Sequence, residues 1–231
     1  MRIVTIGEIL IDLTQTGYNQ QNIPMYAANP GGAPANVAVA ASRLGADTAF
    51  VGMVGSDGFG TYLSQVLEEN NVSTQGLRVG QGATTLAVVS VSAQGERSFQ
   101  FMRGADANLT ADQVDGDLMA GAGIVHFGSV SLTADPARTA TLHAVELAKQ
   151  QGVTVSYDPN YRAALWNSQE EAVEWMRRPL SSVDILKLSD EEMELLSGSI
   201  SSSDSFKIST LDRGRRIHST AWSWLSHRAA R

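Results

Sequence analysis

Short apolar runs alternate with amphipathic stretches over the second half of the chain, and this rhythm constrains the fold more than any other feature. Residues 124–127, 153–157 and 184–188 read as buried strands, while residues 110–119, 135–151, 168–177 and 189–197 read as helices. Strand–helix–strand units of this length force neighbouring strands to run parallel, and the helices must then cover the sheet. The first half supplies the same ingredients. Strands fall at 3–6 and 48–54, and a helix spans 34–44. A further helix runs to about residue 70 after the turn at 55–58, with Asp57 placed to cap it. No internal repeat interrupts the pattern. The expected class is therefore α/β, with a central, mostly parallel sheet flanked by helices.

Two regions break the rhythm. Residues 84–92 and 98–103 are strand-like runs separated by Ala93-Gln94-Gly95-Glu96, which reads as a hairpin. Their polar, partly two-sided pattern suits a small antiparallel sheet standing away from the main core. Residues 9–28 are also strand-like, broken at Gly17 and Pro24, and supply its partner strands. The expectation is a β lid built from about 9–28 and 84–103.

At 231 residues and 43% hydrophobic content the chain can bury one sizeable core. It has no cysteine, which excludes a disulfide framework and fits a reducing compartment. A net charge of −7 argues against a nucleic-acid surface. No stretch reads as a secretory signal or a membrane span, so the expectation is a cytoplasmic protein without nucleic-acid or membrane partners. The charge is unevenly spread. Residues 207–231 carry six basic side chains against Asp212 alone, a net of +5, which leaves −12 for the remainder. The composition shifts near Ser199, so residues 1–198 read as the α/β domain and 199–231 as an atypical basic tail outside it.

Several positions carry chemistry. Gly31-Gly32-Ala33-Pro34-Ala35-Asn36 leads into a helix of small residues. Glycines let the backbone approach a ligand, Pro34 fits a helical first turn, and the Asn36 amide both donates and accepts. Asp12 follows the first strand, on the side where open α/β sheets bind ligands, and reads as either a hydroxyl acceptor or a solvated acid. Asp158, Asn160 and Arg162 follow the strand at 153–157 at alternate positions. They read as a phosphate-facing set or as a surface pair. Lys187, Ser189 and Glu192 follow the next strand, where Ser189 and Glu192 have capping-box spacing and Glu192 could instead face water on Mg²⁺. His126 reads as a core residue.

Taken together, these segments resemble the PfkB (ribokinase-like) carbohydrate kinases, and within them the fructokinases. The likeness rests on Gly7-Glu8-Ile9-Leu10-Ile11-Asp12-Leu13, GGAPANVAVAASRLG at 31–45, VGMVGSDGFG at 51–60 and GERSFQFMRGAD at 95–106. It continues through HFGSVSL at 126–132, SYDPNYRAALW at 156–166 and DILKLSDEEMELLSG at 184–198. It implies a ribokinase-like fold and transfer of the ATP γ-phosphoryl group to the 6-hydroxyl of D-fructose, with 2-keto-3-deoxygluconate as the nearest rival substrate. By that likeness Asp12, Gly31, Gly32 and Asn36 hold sugar hydroxyls, and Phe101 and Arg103 close over the sugar. Asp158 and Asn160 face the phosphate, and Arg162 stabilises its transfer. Lys187, Ser189 and Glu192 line the ATP and Mg²⁺ side, Glu192 reaching the metal through water. Many relatives have Asn where Ser189 stands. A homodimer through the lid is also implied.

In this family the general base is an Asp in a late G-A-G-D segment, whose helix start also forms the anion hole. Residues 199–231 contain no such segment; Gly214 is their only glycine. The expectation is that the tail is sequence read in a shifted frame or an unrelated replacement, and that the chain is an incomplete, inactive kinase or a non-catalytic sugar-binding or dimerisation fragment. Resequencing across codon 199 tests the frame.

Overall fold

The computed structural model describes residues 1–91 and 97–197. The chain begins β1 (Arg2–Ile6), β2 (Leu10–Tyr18), β3 (Pro24–Gly31), α1 (Ala33–Arg43), β4 (Asp47–Gly55), α2 (Gly58–Glu69) and β5 (Val72–Gly80). It continues β6 (Leu86–Val91), β7 (Arg97–Met102), α3 (Gly116–Ala120), β8 (Ile124–Phe127), α4 (Ala137–Gln150) and β9 (Thr154–Tyr157). The last described elements are α5 (Gln169–Arg177), β10 (Ile185–Leu186) and α6 (Asp190–Ser197). The hairpin turn expected at 93–96 and the tail at 199–231 lie outside the described residues.

Among the described residues six strands form one parallel sheet in the order β10-β9-β8-β1-β4-β5. Side-chain alternation assigns its two faces. On β4, Ala49, Val51 and Met53 join Val4 and Ile6 of β1, Val125 and Phe127 of β8, and Ala140, Ala144 and Ala148 of α4 in one apolar layer. Phe50 and Val54 point the other way, into a layer with Ala35 and Ala38 of α1 and Leu63 and Leu67 of α2. Leu63 and Leu67 are fully buried, each contributing about 2 kcal/mol. The alanines of α1 and α4 let those helices lie close to the strands. Phe127 and Tyr157 sit opposite each other on β8 and β9, their rings stacked at 4.3 Å between centroids.

Four strands form a second sheet, β3-β2-β6-β7, which is the expected lid. It is mixed rather than wholly antiparallel, because β2 pairs with β6 in the parallel sense. A register shift between Gln15 and Gly17 accounts for the break read at Gly17. The lid is rooted in the second apolar layer, where Ile9 and Ile11 are buried. Asp57 secures the root from below. It caps α2 through Gly60 N–H and accepts from both the backbone N–H and the hydroxyl of Thr84, just before β6. Burial raises its carboxyl pKa, but these hydrogen bonds outweigh it and hold the group below its ordinary value.

Three elements depart from expectation. Strand β5 lies at the sheet edge with β4 as its one neighbour, so its polar sequence carries no apolar run. The helix expected at 110–119 divides, because Thr110 and Asp115 each cap a separate short turn, at Ala111–Gln113 and Gly116–Ala120. The strand expected at 184–188 shrinks to two residues at the edge. No helix among the described residues is long and apolar enough to cross a membrane.

Candidate functional site

Strand β1 lies between β8 and β4, so the chain leaves its neighbourhood in opposite directions on the two sides. At such a reversal the loops beyond the carboxyl ends of the strands part and leave a crevice. A cavity of about 410 Å³ occupies that position. The loop after β1 and the start of α1 give its floor, the lid gives its roof, and the segments after β8, β9 and β10 give its far wall.

The floor depends on backbone conformation. Gly32 is the N-cap of α1, with φ of +102°, and a Cβ there would stand 2.5 Å from the Glu8 carbonyl oxygen. Only glycine fits. Gly31 serves differently from expectation. It does not line the cavity, but a Cβ on it would collide with the Asp12 carboxylate, so its bareness leaves Asp12 room. Asn36 lines the floor one turn into α1.

The Glu8 carboxyl was not singled out in the sequence, yet it lines this floor. Its Oε1 accepts the Ala33 N–H at 2.9 Å, so it occupies the helix N-terminus. Burial pushes its pKa up to about 7, against the pull of its own backbone N–H and that of Ala33. Nothing in the run Gly7-Glu8-Ile9 signals this, because the partner N–H is brought in by the Gly32 turn.

Asp12 and Phe101 share the roof, with β6 between them. Asp12 pairs across to Ala87 on β6, and Ala87 pairs to Phe101 on β7, which sets both side chains on one face. Both line the cavity. Burial raises the Asp12 pKa, and the Arg162 cation opposes that.

Beyond β9, Asp158, Asn160 and Arg162 all reach the cavity, joined by Lys187 from beyond β10. Lys187 Nζ lies 2.9 Å from Asp158 Oδ2, and the Asn160 N–H donates to Asp158 Oδ1 at 3.2 Å. Asn160 takes a left-handed conformation, with φ of +47°, which turns the chain back. Burial raises the Asp158 pKa and Lys187 counteracts it. Arg162 donates to the Tyr161 carbonyl at 3.0 Å. His126 lines the wall, with Nδ1 3.0 Å from the Ser156 hydroxyl; burial and then Lys187 push its pKa down to about 4, so it is neutral near pH 7.

Besides Gly31, three expected residues lie outside the cavity lining. The Glu192 Oε2 accepts the Ser189 N–H at 2.8 Å, and the Ser189 hydroxyl accepts the Glu192 N–H at 3.2 Å, which is the capping box at the start of α6. The Glu192 Oε1 accepts the Tyr161 N–H at 2.7 Å and so pins the loop that carries Asn160 and Arg162. Arg103 turns away to Asp106, Val130 and Thr133. Among the described residues no three His, Asp or Glu side chains gather as a metal site.

The arrangement has two chemically different ends. Acids and amides of the floor and roof surround a space suited to hydroxyl groups, and Arg162 and Lys187 offer cations to an anionic group beside it.

A family model described as pfkB family carbohydrate kinase matches residues 1–208. Fructokinase-1 of Zea mays is 47% identical over 201 residues, which cover 85% of this chain and 62% of the maize protein. The crystal structure of fructokinase with bound ATP from Xylella fastidiosa superposes with a TM-score of 0.78 at 36% identity, covering 85% of this chain and 64% of that one. The 2-dehydro-3-deoxygluconokinase of Thermotoga maritima gives a TM-score of 0.78 at 27% identity, covering 86% of this chain and 62% of its own. The chain spans about 62% of the length of curated relatives such as the maize and tomato fructokinases.

Proposed function

The chain belongs to the pfkB family of carbohydrate kinases, and we propose that it is of the fructokinase type, acting on the 6-hydroxyl of D-fructose. The observation that carries this reading is the placing of Asp12 and Phe101 on one face of the lid over the Gly32–Asn36 floor, which encloses a hydroxyl-binding space. Asp12 accepts two sugar hydroxyls, Asn36 donates and accepts, and Phe101 covers an apolar face of the ring. Arg162 and Lys187 hold the anionic end, and Asp158 and Asn160 orient it. ATP, when bound, supplies the γ-phosphoryl group. The cations at that end fit a phosphate. Asp158 and Glu192 are already engaged by Lys187 and by two backbone N–H groups, which supports contact with hydrated Mg²⁺ through water only.

Fructose is favoured over 2-keto-3-deoxygluconate because Arg103, a potential partner for a sugar carboxylate, is already bound to Asp106. The exposed Tyr18, Met25 and Tyr26 of the lid support a homodimer through that sheet, which sedimentation measures.

No G-A-G-D segment occurs in these 231 residues. We therefore propose that they bind sugar while transferring phosphate at a rate reduced by at least ~10²–10³. Calorimetric titration with fructose and a coupled ATP assay test both statements. Saturable binding is expected, abolished in Asp12→Ala with the thermal midpoint retained. Unchanged affinity in that variant would remove Asp12 from the site and the reading with it. Tighter binding of 2-keto-3-deoxygluconate would move the assignment to that sugar. Phosphorylation above background would exclude a non-catalytic fragment.

A further inference from the structure

Three of the four lid strands, β2, β6 and β7, are tied at one buried point beside the cavity. The Ile11 N–H donates to the Thr85 carbonyl at 3.0 Å, and the Gly104 N–H donates to the Thr85 hydroxyl at 2.7 Å. That hydroxyl donates in turn to Asp106 Oδ1. Asp106 is 5% exposed. Its Oδ2 lies 2.9 Å from Arg103 Nη2, immediately after β7. Arg103 Nη1 then crosses to the Val130 carbonyl at 3.0 Å and the Thr133 hydroxyl at 2.7 Å. Those two residues belong to the turn after β8, and Val130 lines the sugar cavity. The Glu8 carboxyl of the floor lies close enough to feel both Asp106 and Arg103.

We propose that Arg103 and Asp106 form a latch that fixes the lid on the switch-point turn, with Arg103 acting as a positioning residue and not as a sugar ligand. An Arg fork spans three acceptors in fixed directions, so it sets the angle of the β7 end relative to the β8–α4 connection. Phe101 stands two residues before Arg103, and its place over the cavity follows from that angle. A buried carboxylate with one partner removed is costly, so the pair behaves as one unit. The latch couples cover and wall: the lid cannot lift without releasing the turn that carries Val130.

The test uses Arg103→Ala, Asp106→Asn and the double variant of the full 231-residue chain, with Thr133→Val and Arg103→Lys as milder changes. Amide hydrogen exchange is read without sugar, and fructose affinity is read by calorimetry. Exchange in Leu86–Val91 and around Val130 should rise about tenfold or more in the alanine and asparagine variants. The amides of β1 and β4 should stay at the wild-type rate. Thr133→Val should move the same amides by less, and Arg103→Lys should restore part of the protection. Both single variants should weaken fructose binding to a similar extent, and the double variant should be no worse than either. Lid exchange equal to the wild type in every variant overturns the latch. So does a loss of affinity in Arg103→Ala with none in Asp106→Asn, which would make Arg103 a ligand. The affinity arm rests on the fructokinase reading. The exchange arm does not, so a wild-type chain that ignores fructose defeats that reading while exchange still decides the latch.

Discussion

Glu8 shows what a single side chain can hide. Its ordinary pKa of 4.5 is raised to about 7 in the fold, chiefly by burial. The folded chain therefore holds the proton between those two values while the unfolded chain releases it, and stability falls as pH rises from 4.5 to about 7. Above that the loss is complete, on the order of 3 kcal/mol. Glu8→Gln keeps an oxygen for the Ala33 N–H and removes the charge. It should match the wild type near pH 5 and exceed it in urea resistance near pH 8; an unaltered pH dependence would show that Glu8 is not the titrating group. Spacing made Asp12, Asn36, Asp158 and Arg162 legible as site residues, because each follows a strand end or opens a helix. Glu8 was not legible, since its role depends on a backbone turn 24 residues later. Arg103 was legible as a lid residue, but its direction was decided by Asp106 and Thr133, which period-2 alternation does not encode.

The start of α6 is held by Glu192 in two directions. The S-x-x-E spacing announced its capping box, and the structure forms it through Ser189 and Glu192. It could not announce the second bond from Glu192 to the Tyr161 N–H, because that partner arrives from the β9 loop. Ser189→Ala should cost about 1 kcal/mol, as a lost cap does. Glu192→Ala should cost roughly 1–3 kcal/mol, since two part-buried N–H groups lose their acceptor. Urea unfolding measures both, and equal costs would mean that the Tyr161 bond contributes nothing. Strand β5 and the parallel β2–β6 pair were illegible for a related reason. An edge strand needs no apolar run, and the sense of a pairing belongs to two distant segments.

Across the whole molecule the parallel sheet was the easiest feature to foresee, because both of its faces must be apolar and its strands say so. Within it Phe127 and Tyr157 are fully buried and stacked on each other. Phe127→Ala should cost about 3–5 kcal/mol in urea unfolding, and a cost below 1 kcal/mol would mean the layer collapses to fill the space. The lid adds an order in time. Strand β2 is complete as soon as residue 18 has been made, and β3 can fold back on it at once as a local hairpin. Its other edge waits for β6, since Ile11 pairs with Leu86, with α1, β4, α2 and β5 between them. Closing so long a loop is slow, and an open strand edge meanwhile invites foreign pairing. A chain leaving the ribosome therefore carries a half-made cover from residue 18 until β7 ends at residue 102, and the wall beneath that cover is completed only when Lys187 has been added.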